Sequence, residues 1–268
     1  MNPKAHRYAV LLAIGSLIPI ALGAFITSKA TGPQPAARAM LDAVVHKDVA
    51  IGVGVVGVGF LIRLLWMDEE SLLVATAVSL FAIECLIGWM GRPFLHATFA
   101  PVLFAALVAI ASVTSPAWSE PPERVEDQSG SALRLLAFST PPLVLLEIML
   151  GAAYRHKLAG LLPHLGFAMV VTLPILALAM LILQRHPEHR RLCRASAWLI
   201  TILVTQVVLG ISALVVALVR VNALAATTVS AAHVVAGSLT LALNGVLALE
   251  VERSVDRTRR SAEQPKRI

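Results

Sequence analysis

The sequence predicts an all-α integral membrane protein whose eight transmembrane helices form two tandem, pseudo-twofold-related four-helix bundles. Three observations predict it. The 268 residues are 57% hydrophobic and only 14% charged, with a mean hydropathy of +0.80, which a water-exposed surface excludes. Apolar runs of about 20 residues, the length that crosses a bilayer core, recur eight times between short polar breaks. A pattern of glycines and histidines is shared by the two halves of the chain.

The runs start near Tyr8, His46, Ser71, Phe94, Leu133, Leu161, Ala195 and Ala225. The first is too long, and too plainly continued by seven others, for a cleaved signal peptide. No ten-residue alternation of a β-barrel strand occurs. The longest internal break, "TSPAWSEPPERVEDQSGS", is rich in Pro, Ser and acids and reads as a cytoplasmic linker. It divides the chain into an amino-terminal half (residues 1–114), the linker (115–131) and a carboxyl-terminal half (132–268).

Basic residues set the orientation. With the amino terminus inside, fifteen of the 22 Lys and Arg residues face the cytoplasm and seven the outside, so both termini are expected to be cytoplasmic. The net charge of +6 and the tail "RSVDRTRRSAEQPKRI" then face anionic lipid, and no fold or aromatic pattern supports a nucleic-acid role. Cys85 lies in the third span and Cys193 in a cytoplasmic loop, too far apart for a disulfide.

Within the halves, Glu84-x-x-x-Gly88-x-x-x-Arg92 recurs as Glu147-x-x-x-Gly151-x-x-x-Arg155 and, weakened, as Gln206-x-x-x-Gly210; the first span keeps Gly23. Each even span is expected to open, at its outer end, on a histidine: His46, His96, His164 and His233. Four spans per half give both halves the same topology, a parallel repeat about an axis along the membrane normal.

One histidine in a span is ordinarily a hydrogen-bonded or interfacial side chain. Four at corresponding places suit ligands, because interfacial preference does not select helix parity. Zinc wants three or four ligands, whereas each half offers two imidazoles and no cysteine at that depth. Two axial imidazoles suit a heme, whose other four ligands are its own nitrogens. The odd-span glycines, and Gly52, Gly54, Gly57 and Gly59, fit either the walls of a porphyrin slot or close helix packing. Arg92 and Arg155, two turns beyond their glutamates, fit either propionate-holding forks or snorkelling to lipid phosphate. Glu84 and Glu147 fit either a helix lock or a proton relay. His186 and His189, in "QRHPEHRR", read as a solvated loop, and His156 as part of the turn after the fifth span.

An eight-span chain of two like-oriented halves, with a histidine on every even span and "LGAAYRH" leaving the fifth, resembles the heme A synthase family of cytochrome oxidase assembly factors over nearly its whole length. The resemblance implies heme b on His164 and His233, and the substrate heme O, with its product heme A, on His46 and His96. It implies oxidation of the C8 methyl of heme O to a formyl group in a bacterial-type inner membrane. Heme O synthase and cytochrome oxidase subunits are the partners it suggests. The family carries Glu three residues before the second-span histidine and Arg after it; here Ala43 and Lys47 stand there. Asp42, one residue further back, shares the face of His46 and reads either as a substitute acid or base or as a helix N-cap. The outer loops are short and lack the cysteine pairs of some members. The other classes are a non-enzymatic di-heme b-type cytochrome or heme carrier, and a secondary transporter, which leaves four histidines unexplained.

Overall fold

The computed structural model of the protein describes residues 3–29, 36–66, 71–126, 132–219 and 222–256. The last residues of the linker (127–131), Arg220 and the basic tail from 257 onward lie outside them, so the expected retention charges of the tail have no structural account. Nine helices are described: α1 (Pro3–Lys29), α2 (Ala36–Trp66), α3 (Ser71–Trp89), α4 (Pro93–Val113), the single turn α5 (Pro116–Ser119), α6 (Ala132–Arg155), α7 (Leu161–Arg185), α8 (Arg190–Val219) and α9 (Ala223–Ser254). Eight of them, all but α5, are long and apolar enough to cross a membrane. Their large exposed side chains, such as Leu72, Trp89, Leu162 and Leu218, suit surfaces turned to lipid.

Consecutive helices pack on one another in each half, and the fourth returns to the first: α1–α2–α3–α4 with α4 on α1, and α6–α7–α8–α9 with α9 on α6. Two core clusters form, and Ala242 of α9 belongs to the first. One gathers Ala9, Leu12, Leu61, Leu64, Phe104 and Ile110, the other Leu133, Ile175, Leu178, Ile182, Leu199 and Leu247. The halves meet through α4 on α9, flanked by α1 on α9 and α4 on α6.

Burial does not follow apolarity. The most apolar span, α8, is the least buried, and α9 is the most buried. Lipid is as apolar as leucine, so apolar side chains gain little from the interior, while polar side chains need partners there. Ser238 and Asn244 of α9 are wholly buried and Thr240 nearly so; Asn244 donates to the Thr240 carbonyl at 2.8 Å.

The linker is folded where it is described. Ser115 caps α5 by accepting from the Trp118 amide at 3.2 Å. Arg253, near the end of α9, lies 4.4 Å over the Trp118 ring and donates to the carbonyls of Trp118 and Glu120. Val125 and Glu126 (β1) pair in parallel with Val255 and Asp256 (β2), a two-residue ladder at the exit of α9. Arg191 meets Glu120 at 2.6 Å, and Arg134 pairs with Glu252.

The same clamp corrects two sequence expectations. His186 and His189 are buried, with 6% and 2% of their surface exposed, rather than solvated. His189 caps α8: its Nδ1 accepts from the Leu192 amide at 3.2 Å, so Nε2–H is the donor to the Glu123 carbonyl at 3.0 Å. Cys193 sits in the first turn of α8 rather than in a loop, with its thiol donating to the His186 carbonyl at 3.2 Å. A short polar stretch reads as solvated by composition, but here the linker folds over it.

Candidate paired-histidine site

The turn between α3 and α4 takes three residues. Gly91, at φ +62°, closes it with Arg92 N–H donating to the Ile87 carbonyl and Gly91 N–H to the Gly88 carbonyl, a Schellman motif. Pro93 then starts α4, and His96, its fourth residue, comes back against α3. The α6–α7 connection repeats the motif, with Leu158 N–H to Ala153, Lys157 N–H to Tyr154, and Lys157 itself at φ 59°. His164 is the fourth residue of α7. His46 and His233 differ: each is the eleventh residue of its helix. The expectation that every even helix opens on its histidine therefore holds only for α4 and α7, because α2 and α9 run two turns further before theirs.

Every one of the four rings faces the glycine of the preceding helix, on α1, α3, α6 or α8. A Cβ built on Gly23 would lie 3.0 Å from Cε1 of His46, on Gly88 3.5 Å from His96, on Gly151 3.1 Å from His164, and on Gly210 2.9 Å from His233. These glycines thus make room for an imidazole, which replaces the expectation that they line a flat slot. Gly54 and Gly57 serve packing instead. A Cβ on Gly54 would strike Phe81 of α3 at 2.8 Å and one on Gly57 would press on Leu12 of α1 at 3.3 Å, while Gly52 and Gly59 meet nothing within 4 Å.

The glutamates stand one turn before their glycines, on the same helix face. Nδ1 of His96 lies 2.9 Å from Oε1 of Glu84, and Nδ1 of His164 lies 2.7 Å from Oε1 of Glu147. Both contacts are close but bent out of line for a straight hydrogen bond. Nδ1 of His233 sits 3.1 Å from the backbone carbonyl of Gln206, the residue at the corresponding place on α8. On α1 that place is held by Pro19, and the buried Nδ1 of His46 has no hydrogen-bond partner among the described residues. Sequence reading left the glutamates between a helix lock and a relay. The signal for their contact was their shared four-residue spacing from glycines that themselves face histidines.

The four histidines form two pairs. The centroids of His46 and His96 are 6.1 Å apart at an interplanar angle of 77°, and those of His164 and His233 are 6.2 Å apart at 73°. Two imidazoles on opposite sides of one metal ion, at bonds of about 2.0 Å, hold their centroids about 6.3 Å apart. An edge-on aromatic contact also spans this range. What separates the two is Nδ1: an acceptor beside it fixes the proton there and leaves the Nε2 lone pair free for a metal, as metal-bound imidazoles are usually arranged. Among the described residues no group of three or more His, Cys, Asp or Glu gathers, so the donor set is a pair of imidazoles in each half.

The two arginines part company. The α3 helix ends one residue after Gly88, so Arg92 lies past it, exposed, as the N-cap of α4 without a side-chain cap. The α6 helix runs on to Arg155, which is half-buried and close enough to His233 and His156 to act on both electrostatically. Asp42 is the seventh residue of α2 and so no N-cap; it is half-buried and one turn before His46. Ala43 and Lys47 are exposed. Comparison with protein-family models, with curated proteins and with solved structures gives no match.

Proposed function

We propose that this chain is a heme-binding membrane oxidoreductase of the heme A synthase kind, converting heme O to heme A for cytochrome oxidase assembly. The observation that carries the reading is the pair of imidazole pairs, with ring centroids 6.1 Å and 6.2 Å apart and an acceptor beside Nδ1 in three of four cases. His46 and His96 would hold the substrate heme, and His164 and His233 a resident heme b. When bound, the iron porphyrins supply the electron transfer and oxidation that no side chain of this protein can.

The protein's own groups hold and orient. Glu84 and Glu147 fix the rotation of His96 and His164, and the Gln206 carbonyl does so for His233. Arg155, half-buried beside His233, is placed to meet a propionate, and Arg92 faces outward at the corresponding place. Asp42 shares the face of His46 and is the candidate for moving a proton at the substrate. The halves are read as tandem bundles about a pseudo-twofold: exchanging them would turn the α1–α9 contact into α6–α4 and leave α4–α9 unchanged, and all three contacts occur. Both termini are assigned to the cytoplasm of a bacterial-type inner membrane, with heme O synthase and oxidase subunits as partners.

Ala43, standing where the family carries its Glu, favours a second reading, a di-heme b-type cytochrome or heme carrier that needs the same histidines and no acid. One experiment separates them. The protein is purified after expression with a heme O synthase, and a pyridine hemochrome assay is followed by chromatography of the extracted heme. Heme A or its hydroxylated precursor supports the enzyme, heme O or heme b alone supports the carrier, and a colourless protein rejects both.

A further inference from the structure

Resting on the heme reading, we propose that an acceptor for Nδ1 one turn before the glycine of each odd-numbered span decides how firmly its histidine holds iron, and that His46 is the ligand built to let go. Four helices present the same device, a glycine that admits the imidazole of the next helix, and three add an acceptor for Nδ1. The fourth, α1, has Pro19 in that place, whose side chain brings no acceptor and whose carbonyl makes no hydrogen bond to Nδ1 of His46. The buried Nδ1 of His46 has no partner among the described residues, and nothing fixes its tautomer or ring rotation.

The consequence differs between halves. In the carboxyl-terminal pair both rings are anchored, His164 by Glu147 and His233 by the Gln206 carbonyl, which suits a porphyrin that stays. In the amino-terminal pair His96 has the Glu84 carboxylate 2.9 Å from Nδ1 and His46 has no acceptor beside it among the described residues, which suits a porphyrin that enters and leaves with one ligand swinging aside. Pro19 and Glu147 are positioning residues: they act on iron only through a histidine.

Carbon monoxide reads this directly, because it takes an axial position on ferrous heme only where a ligand can be displaced. The full-length protein is loaded with hemin at both sites, reduced with dithionite and titrated with CO. About half of the heme should form the CO adduct in the wild type. In His164→Ala, which empties the carboxyl-terminal site, nearly all of the remaining heme should form the adduct, and in His96→Ala, which empties the amino-terminal site, almost none. Pro19→Glu, which installs the missing acceptor, should suppress CO binding at least severalfold, and Glu147→Leu should make the second heme CO-reactive. Glu147→Gln, which keeps an acceptor, should behave as wild type. Should Pro19→Glu fail to accumulate, Glu147→Leu against Glu147→Gln decides alone. Equal CO reactivity of both halves in the wild type, or a second heme indifferent to Glu147→Leu, overturns the proposal. A protein that takes up no hemin overturns the heme reading instead.

Discussion

A Cβ placed on Gly210 of α8 would stand 2.9 Å from Cε1 of His233 on α9, a separation carbon atoms do not tolerate. The ring cannot simply turn away, because its Nδ1 is engaged with the Gln206 carbonyl at 3.1 Å. Gly210→Ala should therefore cost about 1–3 kcal/mol through overpacking, as should Gly151→Ala, whose His164 ring has Glu147 beside Nδ1, whereas Gly23→Ala should cost less, because no acceptor holds His46 in place. Gly88→Ala meets His96 only at ordinary van der Waals distance and should be close to neutral. Thermal unfolding in detergent, run across the four variants, checks the order. A uniform effect would show that the rings do not occupy these notches.

Lys157 adopts φ 59° at the end of α6, the conformation that Gly91 takes at the end of α3. A side chain with a Cβ is strained there by about 1–2 kcal/mol, so Lys157→Gly should raise stability by about 1 kcal/mol after the entropic cost of glycine. Gly91→Ala should lower it by a similar amount, although a Cβ at Gly91 would meet no atom within 4 Å. Opposite shifts of the melting temperature are the expected result.

Arg253 joins the linker to α9 through the Trp118 ring and two carbonyls, whereas Arg191 reaches only Glu120, whose side chain is 72% exposed. Charged hydrogen bonds of the first kind contribute about 1.5–3 kcal/mol, and exposed ion pairs of the second about 0–1 kcal/mol. Arg253→Ala should speed amide exchange at Val125 and Glu126 at least tenfold, the strand losing its anchor, and Arg191→Ala should leave it almost unchanged. Hydrogen exchange read by mass spectrometry distinguishes them.

Burial, reinforced by the Arg155 cation, holds His156 below its ordinary value of 6.5. The folded state thus binds fewer protons than the unfolded one, and stability rises with pH. This contribution is fully present above 6.5 and is lost as pH falls from there toward the lowered folded value. His156→Gln should flatten the dependence of melting temperature on pH just below 6.5. An unchanged slope would assign that dependence to another group.

Spans were legible because a run of apolar residues long enough to cross lipid needs no tertiary partner to be recognised, and all eight helices cover the expected starts. Helix ends were less so. The expectation that all four histidines open their helices failed at His46 and His233, because α2 and α9 carry two further turns whose apolar content gives no boundary. The fates of Arg92 and Arg155 parted for a similar reason: both follow a glycine at the same spacing, but α6 winds on before its Schellman turn and α3 does not.

By itself the sequence determined the membrane class, the eight spans and the four histidines and glycines, since hydropathy and residue spacing are properties of a chain read in one dimension. Only the tertiary structure decided that each glycine faces a histidine of the next helix, that glutamates rather than arginines touch two of those rings, and that His189 is buried. These depend on helix rotation and on where each turn stops. A shift of one residue turns a side chain by about 100° around its helix, and no pattern along the chain fixes that angle against a neighbour.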